Sequence, residues 1–268
     1  MARRNTKLRI GVITDIHYGL DAGAKLGSKA PQLMEAFRKA AAKYKPNFVV
    51  DMGDRISSRN AESDRHHMES LMQHFNRLAI PTYHVAGNHD IHHLSREENL
   101  RITGKSAESY SFDQDGYHFV IWNPYVTREG MDLRVREKDM EWLKDNLTHN
   151  ARPTIVFSHA PLYDEKNPET NPYSKITIRF HHAEAARIRK IMEESGNVRL
   201  CMNGHLHRNH HEEINGIHYI AQQSLVQTYK KQYRVPARAW SWVEIDDDKI
   251  VVKLQGKVRK DYTLSLAA

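Results

Sequence analysis

The chain has 268 residues, 40% of them hydrophobic and 27% charged, a formal net charge of +7 and a single cysteine. One cysteine excludes a disulfide framework and a thiolate zinc cluster, and no apolar run approaches the roughly 20 residues of a membrane span. The apolar stretch behind the basic N-terminus is about six residues, short of a signal-peptide core, so a cytoplasmic protein without a membrane partner is expected. The excess of Lys and Arg suits an anionic small substrate or nucleic acid. The basic residues are spread along the chain with no long block before its last quarter, which favours the small substrate.

Alternating strand-like and helix-like segments place the chain in the α/β class. In chain order, 7–14 reads as a strand and 31–44 as a helix carrying Leu33, Met34, Phe37, Ala40 and Ala41 at helical spacing. A strand at 47–51, a helix at 62–78 and a strand at 82–85 behind Pro81 follow. After a polar stretch, 109–112 and 117–122 form a hairpin about Asp113-Gln114-Asp115-Gly116. A helix at 136–147, a buried strand at 154–157, a loop at 161–179, a helix at 182–194 and a strand at 198–202 come next. Cys201 sits inside that last apolar run and reads as a buried structural thiol. From about 208 the chain turns to meandering β: 210–214 and 217–221 about Asn215-Gly216, a hairpin signal, then 239–245 and 249–254. With no repeats and no linker, residues 1–268 read as one domain.

Five segments rich in metal-binding side chains each follow a strand: Asp15-Ile16-His17, Gly53-Asp54, Gly87-Asn88-His89-Asp90, Ser158-His159 and Gly204-His205-Leu206-His207. A parallel-type sheet brings such strand ends to one rim, where ligands bind. In an extended backbone, residues i and i+2 point to the same side, so Asp15 with His17, and His205 with His207, can each grip one ion. Asp54 offers two oxygens and could bridge two ions. Singly, each segment could be an ordinary turn or a hydrogen-bonded histidine; together, at five strand ends, they point to a metal centre. Carboxylate, amide and imidazole ligands suit Mn, Fe, Zn, Co or Ni.

The ordered set Asp-x-His, Gly-Asp, Gly-Asn-His-Asp, His and Gly-His-x-His resembles the calcineurin-like metallophosphoesterase superfamily. That resemblance implies a four-layer α/β/β/α sandwich of two mixed sheets and a dinuclear centre of transition-metal ions such as Mn, Fe or Zn. It implies one ion held by Asp15, His17, Asp54 and His207, and the other by Asp54, Asn88, His159 and His205. It also implies hydrolysis of a phosphoester by a metal-bridging hydroxide, with Asn88 and His89 facing the substrate and His89 acting on the phosphoryl or leaving oxygen.

Many members carry an acidic residue three positions after the bridging Asp, where it orients the His of Gly-Asn-His. Here that position is Ser57, so Asp90 or another group must serve. Arg55, directly after Asp54, is either a substrate contact or a salt-bridging residue. Within the superfamily, Asp-Ile-His, Gly-Asn-His-Asp and Gly-His-Leu-His look most like class III cyclic-nucleotide phosphodiesterases and related small bacterial phosphodiesterases, and the Arg signatures of protein phosphatases are missing. A phosphodiesterase on a small diester, such as a cyclic nucleotide, is the expectation. A phosphomonoesterase, a nuclease and a non-catalytic scaffold are the alternatives. Tyr163 and Tyr173 could stack on a base, or simply pack in a loop. Lys230, Lys231, Arg234 and Arg238, interleaved with Tyr229 and Tyr233, suit a nucleotide, a solvated hairpin or a homo-oligomeric contact.

Overall fold

The structure, a computed structural model, describes residues 8–106, 108–129, 132–163, 183–230 and 234–266. Its strands in chain order are β1 (Leu8–Ile13), β2 (Phe48–Asp51), β3 (Thr82–His84), β4 (Tyr110–Gln114), β5 (Tyr117–Ile121), β6 (Val126–Glu129), β7 (Asp132–Val135), β8 (Thr154–Ser158) and β9 (Val198–Asn203). They continue with β10 (His210–Ile214), β11 (Ile217–Ala221), β12 (Thr228–Lys230), β13 (Val235–Pro236), β14 (Trp240–Ile245), β15 (Lys249–Gln255) and β16 (Lys260–Ser265). The helices are α1 (Ala30–Tyr44), α2 (Ala61–Asn76), α3 (Arg96–Thr103), α4 (Glu137–Thr148) and α5 (Ala185–Ser195). Among the described residues, no helix is long and apolar enough to cross a membrane.

The chain divides into two compact units, one of residues 1–107 with 222–268 and one of 108–221. The first holds a six-stranded mixed sheet in the order β16-β15-β14-β1-β2-β3. Strands β1, β2 and β3 run parallel, whereas β14 pairs antiparallel to β1. Every residue of β2 is buried, which accounts for a continuous apolar run in place of an alternating one. Helices α1 and α2 cover one face through Met34, Phe37, Leu71, Met72 and Phe75, packed with Ile13, Val49 and Trp242. The second unit holds the sheet β10-β11-β9-β8-β5-β4, in which β5, β8, β9 and β11 are parallel. Its core joins Val120, Val156 and Cys201 of the sheet to Met140 and Leu143 of α4 and Ile188 and Met192 of α5. Burial pushes the Cys201 thiol up to about 12, the state of an inert structural cysteine.

Among the described residues, the expected strands and helices are present with end shifts of a few residues; most of the expected loop at 161–179 and the first residue of the helix expected at 182–194 lie outside the described residues. Among the described residues, α3, the β6–β7 hairpin, the small β12–β13 pair and the last strand, β16, exceed the expectation. Helix α3 starts at a capping box, with Ser95 Oγ accepting from Glu98 N and the Glu98 carboxylate accepting from Ser95 N. That Ser-x-x-Glu signal lies in plain sequence, within a segment whose polarity hides it.

Phe37 shows how tightly the first unit is packed. Its ring lies 5.8 Å from Trp242 in a stacked arrangement and 5.9 Å from Trp240 edge-on. Gly11 makes room for this group, since a Cβ there would meet Trp242 at 3.1 Å and Val49 at 3.2 Å. Phe37→Ala should therefore cost about 3–5 kcal/mol of unfolding free energy, read from the urea midpoint at unchanged slope. A loss below about 1 kcal/mol would mean that this cluster can collapse onto the cavity.

Candidate metal centre

In the first unit, the loops after β1, β2 and β3 are laced together by backbone bonds. Asp15 N donates to Gly53 O (2.9 Å), His17 N to Asp54 O (2.9 Å), and Tyr18 N to Arg55 O (2.8 Å). The backbone here is not extended. Asp15, His17 and Asp54 lie at φ of 50°, 44° and 54°, in the left-handed region, as does Ser58 at 43°. Such conformations are sparsely populated for non-glycine residues and cluster at functional sites. The i, i+2 argument from an extended strand is thus corrected: Asp15 and His17 converge because a left-handed turn at each of them leaves Ile16 between, fully buried in the core.

The result is a tight donor set. Asp15, His17 and Asp54 each offer one ligand atom within 4.8 Å of the others, and all three are buried. His17 Nε2 stands 3.7 Å from both Asp15 Oδ1 and Asp54 Oδ2. Asp15 is braced by Thr14 Oγ1 on its carboxylate (2.7 Å) and by Ser224 Oγ on its carbonyl (2.7 Å). Buried carboxylate and imidazole without thiolate suit Mn, Fe or Zn. Gly87 is obligatory, because a Cβ there would overlap the backbone nitrogen and Oδ1 of Asp54. Asn88 follows in the same turn, exposed to solvent.

His89 lies beside this set. Its Nε2 is 4.0 Å from Asp54 Oδ2, its backbone N–H donates to Asp54 Oδ1 (2.9 Å), and its ring meets that of His17 edge-on at 4.9 Å. Its Nδ1 pairs with Ser58 Oγ at 2.7 Å. Ser57, at the position of the usual acidic partner, instead donates through Oγ to His17 O (2.8 Å). Asp90 also turns away from His89; its carboxylate accepts the backbone N–H groups of Asp54, Arg55 and Gly87. Burial pushes Asp90 up to about 6, with Arg55 opposing that shift and Asp54 adding to it.

In the second unit, His159 follows β8 and His205 follows β9. His205 Nδ1 is 3.0 Å from His159 Nε2, and the rings are 4.8 Å apart at 76°. Two imidazole ligands on one tetrahedral ion would place their nitrogens roughly 3.4 Å apart, from bonds of about 2.0–2.1 Å, so the pair fits a shared cation. His205 and His207 again adopt left-handed backbone, at φ of 67° and 56°.

Two candidate substrate contacts are corrected. Arg55 is only 2% exposed and is ion-paired to Asp51 (2.8 Å) and Asp90 (3.1 Å), so it cannot present itself to a substrate. Tyr163 is fully buried in the core of the second unit, where its ring stacks on His210 at 4.8 Å. Tyr173 lies outside the described residues, as do Lys231 and Tyr233. Arg234 donates to Asp21 Oδ2 (3.0 Å) on the surface.

Two residues escaped the sequence reading. Ser58, the partner of His89 Nδ1, stands one place beyond Ser57, the position at which the family resemblance implies an acidic partner. Lys25 is half-buried in a loop strapped to residues 226–228, with Leu26 N donating to Val226 O and Thr228 N to Ala24 O. Burial pulls the Lys25 ammonium below its ordinary value, while the carboxylates of Asp54 and Asp15 act in the opposite direction. No local motif marks either residue.

The profile of the calcineurin-like phosphoesterases matches residues 8–209. A 3′,5′-cyclic-nucleotide phosphodiesterase of Nostoc sp. is 24% identical over 234 residues, covering 85% of this chain and 83% of that protein. The manganese-dependent ADP-ribose/CDP-alcohol diphosphatase of Homo sapiens is 20% identical, covering 80% and 77%. Among solved structures, a dimetal phosphatase from Danio rerio superposes with a TM-score of 0.81 at 16% identity, covering 98% of this chain and 100% of that one. GAP50, the anchor in the inner membrane complex of Plasmodium, superposes at 0.62 and 14% identity, covering 98% of this chain and 90% of that one. With its family match running from the first strand to the last histidine loop, the chain belongs to the calcineurin-like phosphoesterases and is a metal-dependent phosphoester hydrolase.

Proposed function

We propose that the chain is a phosphodiesterase acting on a small diester such as a cyclic nucleotide, with Asp54 as the ligand shared by two transition-metal ions. The observation that carries this reading is the position of Asp54: its Oδ2 faces His17 at 3.7 Å and His89 at 4.0 Å, between a ligand and the imidazole assigned to substrate. By resemblance to the family's motifs, Asp15, His17, Asp54, Asn88, His159, His205 and His207 would serve as ligands. The name of the Nostoc relative supports the diester.

Bound metals would polarise the phosphoryl oxygens and activate a water for in-line attack. The chain's own residues do the rest. Asp15, His17 and Asp54 fix where the ions sit. His89, held through Nδ1 by Ser58, would turn Nε2 to the phosphoryl group and its leaving oxygen, a task of general acid–base catalysis. A second reading, cleavage of a phosphoanhydride in a nucleoside diphosphate ester, is favoured by the Lys25 cation near Asp15 and Asp54 and by the name of the human relative. A higher kcat/KM for ADP-ribose than for cyclic nucleotides would select it.

Asp54→Ala should lose both ions, whereas Asn88→Ala should mainly weaken one. Elemental analysis of the purified variants checks this, and two tightly held ions in Asp54→Ala would overturn the ligand assignment.

With Mn²⁺, hydrolysis of bis-p-nitrophenyl phosphate should exceed that of p-nitrophenyl phosphate; a tenfold or greater monoester preference, about 1.4 kcal/mol, would replace the reading with a phosphatase. His89→Ala should keep fold and metals but lower kcat on a diester with a poor leaving group by about 10²–10⁴. The loss should shrink for nitrophenolate, which needs no proton. Ser58→Ala should reproduce part of that loss, about tenfold for one hydrogen bond. An unchanged kcat in His89→Ala would remove His89 from the chemistry.

A further inference from the structure

Arg55 is the buried cation for which catalysis has no direct use. Its Nη1 donates to Asp51 Oδ2 (2.8 Å) and Val85 O (3.1 Å), while its Nη2 lies 3.1 Å from Asp90 Oδ2 and 3.4 Å from Asn99 Oδ1. These partners belong to separate pieces of chain: Asp51 ends β2, Val85 follows β3, Asp90 closes the Gly-Asn-His-Asp turn, and Asn99 sits on α3. The oxygen that faces Arg55, Asp90 Oδ2, also accepts the N–H groups of Asp54 (3.0 Å) and Gly87 (2.9 Å). Asp51 in turn accepts from Gly53 N through Oδ1 (3.1 Å) and pairs with His84 Nδ1 through Oδ2 (2.9 Å). Asn99 Nδ2 donates to Asp90 O (2.8 Å). Thus the Gly53-Asp54 turn and the Gly87–Asp90 turn meet at two carboxylates, and Arg55 stands between those carboxylates.

We propose that Arg55 is a positioning residue for the bridging ligand. Its forked guanidinium holds Asp51 and Asp90 at fixed separation, and thereby sets Asp54 against the Asn88-His89 turn before any ion arrives. This rests on the reading that Asp54 binds both metals. The fork is needed as well as the charge. Two carboxylates and a carbonyl are engaged from different directions, which a planar guanidinium can do and a single ammonium on a flexible stem cannot. Residues that orient metal ligands from behind characteristically govern metal affinity.

The test compares wild type, Arg55→Lys and Asn99→Ala. Metal-stripped protein is titrated with Mn²⁺, free ion is followed by electron paramagnetic resonance, and thermal unfolding of the stripped protein is recorded alongside. Arg55→Lys, though it keeps the charge, should weaken the tighter Mn²⁺ site by about 10–100-fold. At saturating Mn²⁺ its kcat on bis-p-nitrophenyl phosphate should fall while KM stays within about twofold, the pattern of a lost transition-state geometry. A folded Arg55→Lys with wild-type Mn²⁺ affinity overturns the proposal, since charge alone would then suffice. Asn99→Ala, which removes the amide bracing both Arg55 and Asp90, should weaken Mn²⁺ in the same direction by a smaller factor. It decides the matter if Arg55→Lys does not fold, and unchanged affinity there overturns the proposal. A wild type that binds two ions and cleaves no diester defeats the phosphodiesterase reading but leaves this comparison intact. A wild type that takes up no Mn²⁺ defeats both.

Discussion

Three buried carboxylates, Asp51, Asp54 and Asp90, share one cluster of strand-end loops, and a single buried guanidinium stands among them. Like charges at such distances in a low-dielectric interior cannot all remain ionised without a counter-charge. Burial raises Asp51, but Arg55 and His84 outweigh it and hold that group below the ordinary range. Asp90 remains above its ordinary value, burial being the dominant cause even against Arg55. The arginine is held high in turn by the same acids, against the cost of its own burial. Removing one member of such a set leaves an uncompensated buried charge, which costs about 3–5 kcal/mol. The metal-ligand loops are thus built on an ionic lattice that is expensive to disturb and therefore well defined in shape.

The second constraint is backbone strain. Five of the seven residues assigned as ligands, Asp15, His17, Asp54, His205 and His207, adopt positive φ. Left-handed backbone costs roughly 1–3 kcal/mol per residue outside glycine, and only tight surroundings sustain it. Those surroundings are visible. The carbonyls of Gly53, Asp54 and Arg55 receive the N–H groups of Asp15, His17 and Tyr18, Ser57 and Ser224 bind the carbonyls of His17 and Asp15, and Gly27 packs so closely that a Cβ would overlap His17 O. Strand geometry brings the loops together, and the turns then aim the side chains.

This explains which parts were legible in sequence. Strands β1, β2 and β8 are short apolar runs ended by polar ligands, a signal that survives without structural context. Hairpin turns at Asp115-Gly116 and Asn215-Gly216 carry their own chemistry, with positive φ at all four residues. The roles of single residues depended on distant partners. Arg55 reads equally as a substrate contact or a salt-bridging residue when only Asp54 and Ile56 are in view; the choice is decided by Asp51 at the end of β2 and by Asp90 and Asn99, far along the chain. Tyr163 sits in a polar stretch, yet its ring belongs to a core built from α4, α5 and β9. Ser58 gives no local sign, because its partner is 31 residues away.

That a hydroxyl, Ser58, stands behind His89, where the family resemblance implies a carboxylate, has a chemical consequence. A carboxylate only accepts hydrogen bonds, so it fixes the imidazole proton on Nδ1 and leaves Nε2 to gain a proton only as imidazolium. A hydroxyl both donates and accepts. Facing Ser58, a neutral His89 can accept at Nδ1 and carry its proton on Nε2, the nitrogen that lies on the Asp54 side and that the proposed mechanism would turn to the phosphoryl group. In that state His89 is a neutral hydrogen-bond donor to developing phosphoryl charge, a role of electrostatic stabilisation. When protonated, the same ring donates to Ser58 and can release its Nε2 proton to a leaving oxygen. The serine therefore permits both roles where a carboxylate would enforce one, and dependence on leaving-group basicity separates them: charge stabilisation is felt alike by good and poor leaving groups, whereas proton donation matters only for the poor ones.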